Sequence, residues 1–438
     1  MQTARLSGHR DIWRLAGPII LSNLSTPLLG AVDTAVMGHL PDAAYLGAVA
    51  VGSVIFSFLY WGFGFLRMGT TGFTAQAHGA GDDAELRACL GRPLLLGTGL
   101  GLLLILLQWP IGAVAFALLD ASAQVESYAG TYFAIRIWSA PFALINYAVL
   151  GWLLGTQRAR HALLLQVALN GVNIGLDLLF VVGLGYTIAG VAAASLIAEI
   201  VAAGLGLSLC MQLLHRAGGR WSWARLTDRA RLVALLRVNR DIFIRTLSLI
   251  SAFAYFTAQG ARIGETTLAA NAILMQLQNV LSFGLDGFAH AAEILVGSAV
   301  GARDRRAFSA AVRTATVWAF GLAAVFSAVL ALGGTSIVGL YTDLPEVRAT
   351  ALNYLPWMIA SPFVSVWAFQ LDGIFIGATR TRAMRNAMLI SVAFYLAAVW
   401  TLVPWFGNHG LWLALLFFLG LRGITLGFAY PRLLRSIA

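Results

Sequence analysis

Lysine is absent, and charge of any kind is scarce: Asp, Glu, Lys and Arg together make up 11% of 438 residues, against about 25% in soluble domains. Set beside 59% hydrophobic residues, that shortage excludes a water-soluble globular chain and defines an integral membrane protein. The chain has only two cysteines, Cys89 and Cys210. Both fall near helix ends that the arginine pattern places in the cytoplasm, so no disulfide is expected and both should be free thiols. Nothing suggests a metal site or another cofactor. The first apolar run has full spanning length and lacks a small-residue cleavage site, so no removable signal peptide is expected. All 29 basic side chains are arginine, giving a net charge of +10. Placed between apolar runs, they read as membrane topology and base-composition bias, not as a nucleic-acid surface.

What the chain has in abundance is apolar runs long enough to cross a bilayer. They cover 12–38, 46–76, 88–118, 124–154, 161–183, 188–213, 241–263, 268–299, 307–338, 347–377, 383–404 and 409–433, which predicts an all-α protein of twelve transmembrane helices. Arginines crowd alternate connections: Arg5, Arg10 and Arg14 before run 1, Arg158 and Arg160 after run 4, Arg303, Arg305 and Arg306 after run 8, and Arg432 and Arg435 at the end. The intervening loops hold only Arg262 and Arg348, beside Asp42, Asp120, Glu265, Asp343 and Glu346. By the positive-inside rule both termini are cytoplasmic. A single long polar connection, residues 215–240, separates an N-lobe (1–214) from a C-lobe (241–438). A shift of 222 residues lays Gln76–Asp82 on Ser298–Asp304 and Arg158 on Arg380. Duplicated halves with even numbers of crossings are related by a pseudo-twofold axis along the membrane normal and enclose a cleft, the architecture of alternating access, which a channel or a membrane-embedded enzyme could also share.

Acids inside these runs are functional candidates, because an ionisable group in hydrocarbon is costly. Asp33 lies deep in run 1, between the helix-bending Pro18 and Gly30 and the far end of the run, and Pro27 adds a second bend. In run 5, Asn170, Asn173 and Asp177 share one face; an amide four residues before a carboxylate serves either protonation state. Asn146 in run 4 and Ser195 in run 6 lie at depths from which they could join. Under the 222-residue shift Asp33 falls on Tyr255, Asn173 on Tyr395 and Asp177 on Val399, so the buried polar chemistry is concentrated in the first half. Two buried acids that titrate as a pair suit proton exchange. Asp286, His290 and Glu293 share a face of run 8; with Arg67 and Asp372 they form either a packing network or a gate between the halves. Glu199 reads as packing.

The stretches PLLGAVDTAVMGHL (Pro27–Leu40), FGFLRMGTTGFTAQAHG (Phe63–Gly79) and LDGIFIGATRTRAMRNAM (Leu371–Met388) resemble the MATE family, the multidrug and toxic compound extrusion transporters, and more narrowly its DinF-like prokaryotic branch. The resemblance covers essentially the whole chain. It implies a V-shaped pair of six-helix lobes, export coupled to inward ion flow, and an N-lobe site made of Asp33, Asn173, Asp177, Asn146 and Ser195, with Pro18 as the bending proline. It further implies a monomer in the bacterial inner membrane that meets small organic substrates and lipid. Some relatives carry a tyrosine where this chain has Leu29. The sodium-coupled branch carries a glutamate in helix 7, where Ile242–Ala261 here holds no acid. Protons are therefore the favoured coupling ion, with sodium at the N-lobe left open. A lipid-linked headgroup flippase and a membrane-embedded enzyme with an Asp33/Asp177 dyad are the alternative readings.

Overall fold

The computed structural model describes residues 8–38, 43–119, 122–216 and 220–437, and for residues 26–29, 31, 33, 34, 38 and 43 the backbone alone. All regular structure among them is helical. The helices gather into two compact units, Leu21–Leu235 and Leu236–Ala438 together with Met1–Ile20. The boundary between the units therefore falls within helices, where the sequence suggested 1–214, 215–240 and 241–438.

The first unit takes most of α1 (His9–Gly38), then α2 (Ala43–Gly62) and α3 (Phe65–Ala80), α4 (Asp83–Leu106) and α5 (Gln108–Leu119), and α6 (Ala123–Arg136) and α7 (Ala140–Gly155). It is completed by α8 (Ala159–Asp177), which widens into a π-helical turn over Leu178–Gly183, and by α9 (Ile188–Arg216). After the short α10 (Trp223–Leu226) come α11 (Arg229–Ile263), α12 (Glu265–Gly301), α13 (Arg305–Tyr341), α14 (Pro345–Gly377) and α15 (Thr381–Arg435). Ten helical stretches of the described residues are long and apolar enough to span a membrane. One of them, α15, is two crossings that meet at Gly407, whose φ of 54° and ψ of −131° are not helical. With α1, 30 residues long, the chain makes the twelve crossings its apolar runs call for.

Each unit is built to the same plan, and the copies keep one register. Left-handed backbone recurs 222 residues apart at Gly81 and Arg303, at Gln157 and Thr379, and at Gly185 and Gly407. Asp82 caps α4 by accepting from the Glu85 amide (3.0 Å), and Asp304 caps α13 by accepting from the Arg306 and Ala307 amides (2.9 Å each). Close helix packing recurs as well. A Cβ at Gly155 would stand 2.8 Å from the Thr71 carbonyl oxygen, and one at Gly377 would run into that of Glu293. Only glycine lets these backbones approach so closely, the usual device of membrane helix pairs.

The polar connection after α9 is partly helical and is held to the first unit. Arg92 donates to both oxygens of Glu85 (2.7 and 3.2 Å) and to the Arg225 carbonyl (2.6 Å), while Arg225 grips both oxygens of Asp82 (2.8 Å each). The Arg225 guanidinium, helped by the Glu85 amide, holds the Asp82 carboxyl below the usual carboxylate range. A lowered folded-state pKa stabilises above the ordinary carboxylate value and is lost as the pH falls through the lowered one. Arg225→Gln should therefore let Asp82 titrate at higher pH and speed chymotryptic cleavage at Trp221 and Trp223; cleavage at the wild-type rate would show that the clamp does not hold the segment.

Candidate functional site

The carboxylate of Asp177 is fully buried, and Asn173 is only 2% exposed. The orientation of the Asn173 amide follows from its neighbours. Its nitrogen donates to Asp177 Oδ2 (3.1 Å), and its oxygen accepts from the Ser195 amide (3.1 Å) and hydroxyl (3.2 Å). With nitrogen and oxygen exchanged, Asn173 would keep only the contact with the Ser195 hydroxyl (3.2 Å). Helical spacing puts Asn173 and Asp177 one turn apart, and α9 supplies Ser195 from alongside. The π turn begins at the residue after Asp177, a local widening that often accompanies functional sites.

Asn170, a turn earlier on α8, ties this helix to α1: its nitrogen donates to the Ser25 hydroxyl (3.0 Å) and carbonyl (3.3 Å), and its oxygen accepts from Gln166 (3.1 Å). As first and fifth crossings, α1 and α8 run in the same direction. Asp33 is eight residues beyond Ser25 and Asp177 seven beyond Asn170, so at about 1.5 Å per residue their backbones reach similar depth. The side chain of Asp33 lies outside the described residues. Pro18 and Gly30, the expected bending points, lie within the unbroken helical run of α1.

Asn146 is not bonded to Asn173. Its nitrogen donates to the carboxylate of Glu199 (2.6 Å) and to the Glu199 carbonyl (3.1 Å). Glu199, which the sequence left as packing, stands one turn along α9 from Ser195 and within electrostatic reach of Arg136. Arg136 bonds the Tyr132 hydroxyl and lies over the rings of Phe56 (5.0 Å) and Tyr132 (5.3 Å). Glu199 was detectable only as an acid at membrane depth, because its partner is set by how α7 and α9 are rotated against each other.

The candidate gate residues divide between the units. Arg67, half-buried in the first turn of α3, belongs to the first. In the second, Asp372 of α14 is gripped by Arg422 (2.7 Å) and Arg245 through the same oxygen. Asp286 is in electrostatic reach of Arg422, and His290 Nδ1 meets Glu293 Oε2 at 2.8 Å. Where the first unit has Asp33, Asn173 and Asp177, the second has aromatic and apolar packing. The rings of Tyr255 and Tyr395 meet edge to face at 6.3 Å, and Val399 is 1% exposed.

An internally duplicated bundle of twelve crossings, with a buried acid–amide cluster in one copy only among the described residues, defines a polytopic membrane transporter. The MatE family model matches residues 18–179 and 242–401, once on each copy of the repeat. The chain belongs to the MatE family, as its sequence motifs anticipated. It is 43% identical over 426 residues to the DNA damage-inducible protein F of Escherichia coli, covering 97% of this chain and 93% of that one. It is also 25% identical over 445 residues to a probable multidrug resistance protein NorM of Rhizobium meliloti, covering 97% and 93%. Among solved structures, the Vibrio cholerae MATE transporter VcmN in its bent form superposes with a TM-score of 0.88 at 21% identity, covering 98% of this chain and 97% of that one. As a member of this family, the chain is a transporter and not an enzyme.

Proposed function

We propose that the protein is a proton-coupled antiporter that exports amphipathic organic cations across a bacterial inner membrane as a monomer, with both termini in the cytoplasm. The observation that carries this reading is the fully buried Asp177 carboxylate, bonded through Asn173 to Ser195 and without a counterpart in the second copy of the repeat. A carboxylate kept from water can exist in two protonation states only if its hydrogen bonds suit both. Asn173 meets that condition, because its amide both donates and accepts. Asp33, level with Asp177 on the neighbouring α1, is the second acid of the pair, and two such groups shed their protons in coupled steps. Protonation that favours one packing of α1 over another then shifts the population of conformers, with Pro18 and Gly30 as the yielding points. Asp372, by comparison, has one carboxylate oxygen already shared between two guanidinium groups.

The substrate class follows from acids set among apolar helices and accords with relatives named for multidrug resistance. The test uses purified protein in liposomes loaded with ethidium. An imposed pH gradient should drive export, and collapsing it with a protonophore should stop export. Export that follows a sodium gradient and ignores pH would overturn the proton assignment.

A further inference from the structure

Glu199 is a carboxylate at membrane depth that the cycle above leaves unused, and its surroundings are unlike those of a packing residue. Asn146, 3% exposed, spends its nitrogen on Glu199, donating to the carboxylate at 2.6 Å and to the main-chain oxygen at 3.1 Å. Its side-chain oxygen is buried and accepts no hydrogen bond from the described residues. Buried amides in structural roles have both ends satisfied, and an idle acceptor costs free energy. An ionised carboxylate only accepts, whereas a protonated one also carries an O–H that must be donated. The nitrogen of Asn146 serves the first state, and its idle oxygen, reached by turning the amide, serves the second.

The other groups facing Glu199 come from three helices. Arg136 of α6, Tyr60 of α2 and Tyr147 of α7 lie within its electrostatic reach. On its own helix, Ser195 stands one turn away and is bonded to the amide that holds Asp177. We propose that Glu199 is a second proton-binding site of the first unit, held by Asn146 and distinct from the Asp177 carboxylate. Binding adds one proton to a carboxylate oxygen and release returns it to water; no other bond changes. Glu199 lies four residues, about 6 Å, beyond Ser195 toward the Arg216 end of α9, which places it on the cytoplasmic side of the Asp177 cluster. That the bound proton is a transported one rests on the proton-coupled reading; that the group titrates does not.

Infrared difference spectroscopy of the full-length protein in lipid, titrated across the neutral range, reads carboxyl protonation directly. Acidification of the wild type should raise a carboxyl C=O band that Glu199→Gln deletes and Glu199→Asp retains at a shifted frequency. Asn146→Leu should keep the band and move its midpoint to higher pH by about one to two units, because a carboxylate deprived of a charge-assisted donor is easier to protonate. Identical difference spectra for wild type and Glu199→Gln would overturn the site. Should Glu199→Gln fail to fold, an unmoved midpoint in Asn146→Leu would do the same. Ethidium export under a pH gradient separates the two claims. If the wild type shows no pH-driven export while the Glu199 band persists, the coupling reading fails and the site stands. If the wild type exports and Glu199→Gln exports with the same pH profile, Glu199 carries no transported proton.

Discussion

Asp177→Asn should lower pH-driven ethidium export by about two orders of magnitude while leaving the chain folded. The substitution keeps the volume and lets Asn173 go on donating to an oxygen, so packing against Ser195 is retained. What disappears is the pair of protonation states. A transporter whose conformers no longer differ in proton affinity gains nothing from a pH gradient, since a ligand that binds both states equally shifts neither. Ethidium binding should therefore survive within about tenfold while transport is lost. Asp33→Asn should act in the same direction, because the backbone of α1 at this residue reaches the depth of Asp177. Undiminished export by Asp177→Asn, with its usual dependence on pH, would show that the α8 acid is structural.

Asp372→Leu should act on stability instead. The substitution strips Arg245 and Arg422 of the carboxylate they share, in a place where Arg422 is 3% exposed and Arg245 9%. Removing one member of a buried ionic cluster costs about 3–5 kcal/mol, whereas replacing all members with apolar groups is often neutral. For a unit of this size that loss lowers the melting temperature by roughly 10 °C. The triple variant Arg245→Met, Asp372→Leu, Arg422→Met should recover most of it. Thermal unfolding in detergent distinguishes these outcomes, and a wild-type melting temperature for Asp372→Leu alone would mean that the cluster does not stabilise the second unit.

Much of this architecture was legible in the sequence, for reasons that differ from place to place. The twelve crossings follow from apolar length, which the bilayer fixes. The repeat could be read at Asp82 and Asp304 because a capped helix start after a left-handed residue admits few residue types. Asn173 and Asp177 were legible as a pair because one helical turn fixes their contact, and Ser195 joined them as a hydroxyl at matching depth. Asn146 was assigned to the same group, but rotation about the axis of α7 turns it to Glu199. No single-helix spacing reports the angle between two packed helices. The grip of Arg245 and Arg422 on Asp372 joins three helices distant in the chain, and the docking of Arg225 on Asp82 was hidden in a segment whose arginines looked merely solvated.

The wide turn after Asp177 has a mechanical consequence. The π turn closes the helix at Gly183 and holds a surplus residue there, which can be handed back along the axis. Passing it one step toward Asn173 would rotate Asp177 by about 100°, the angle between successive residues of an α-helix. The carboxylate would then swing out of reach of its amide while α8 kept its tie to α1 through Asn170 and Ser25. Such a slip is a rotary switch contained in one turn of backbone. It would let the acid face two different surroundings even if no helix in the unit tilted.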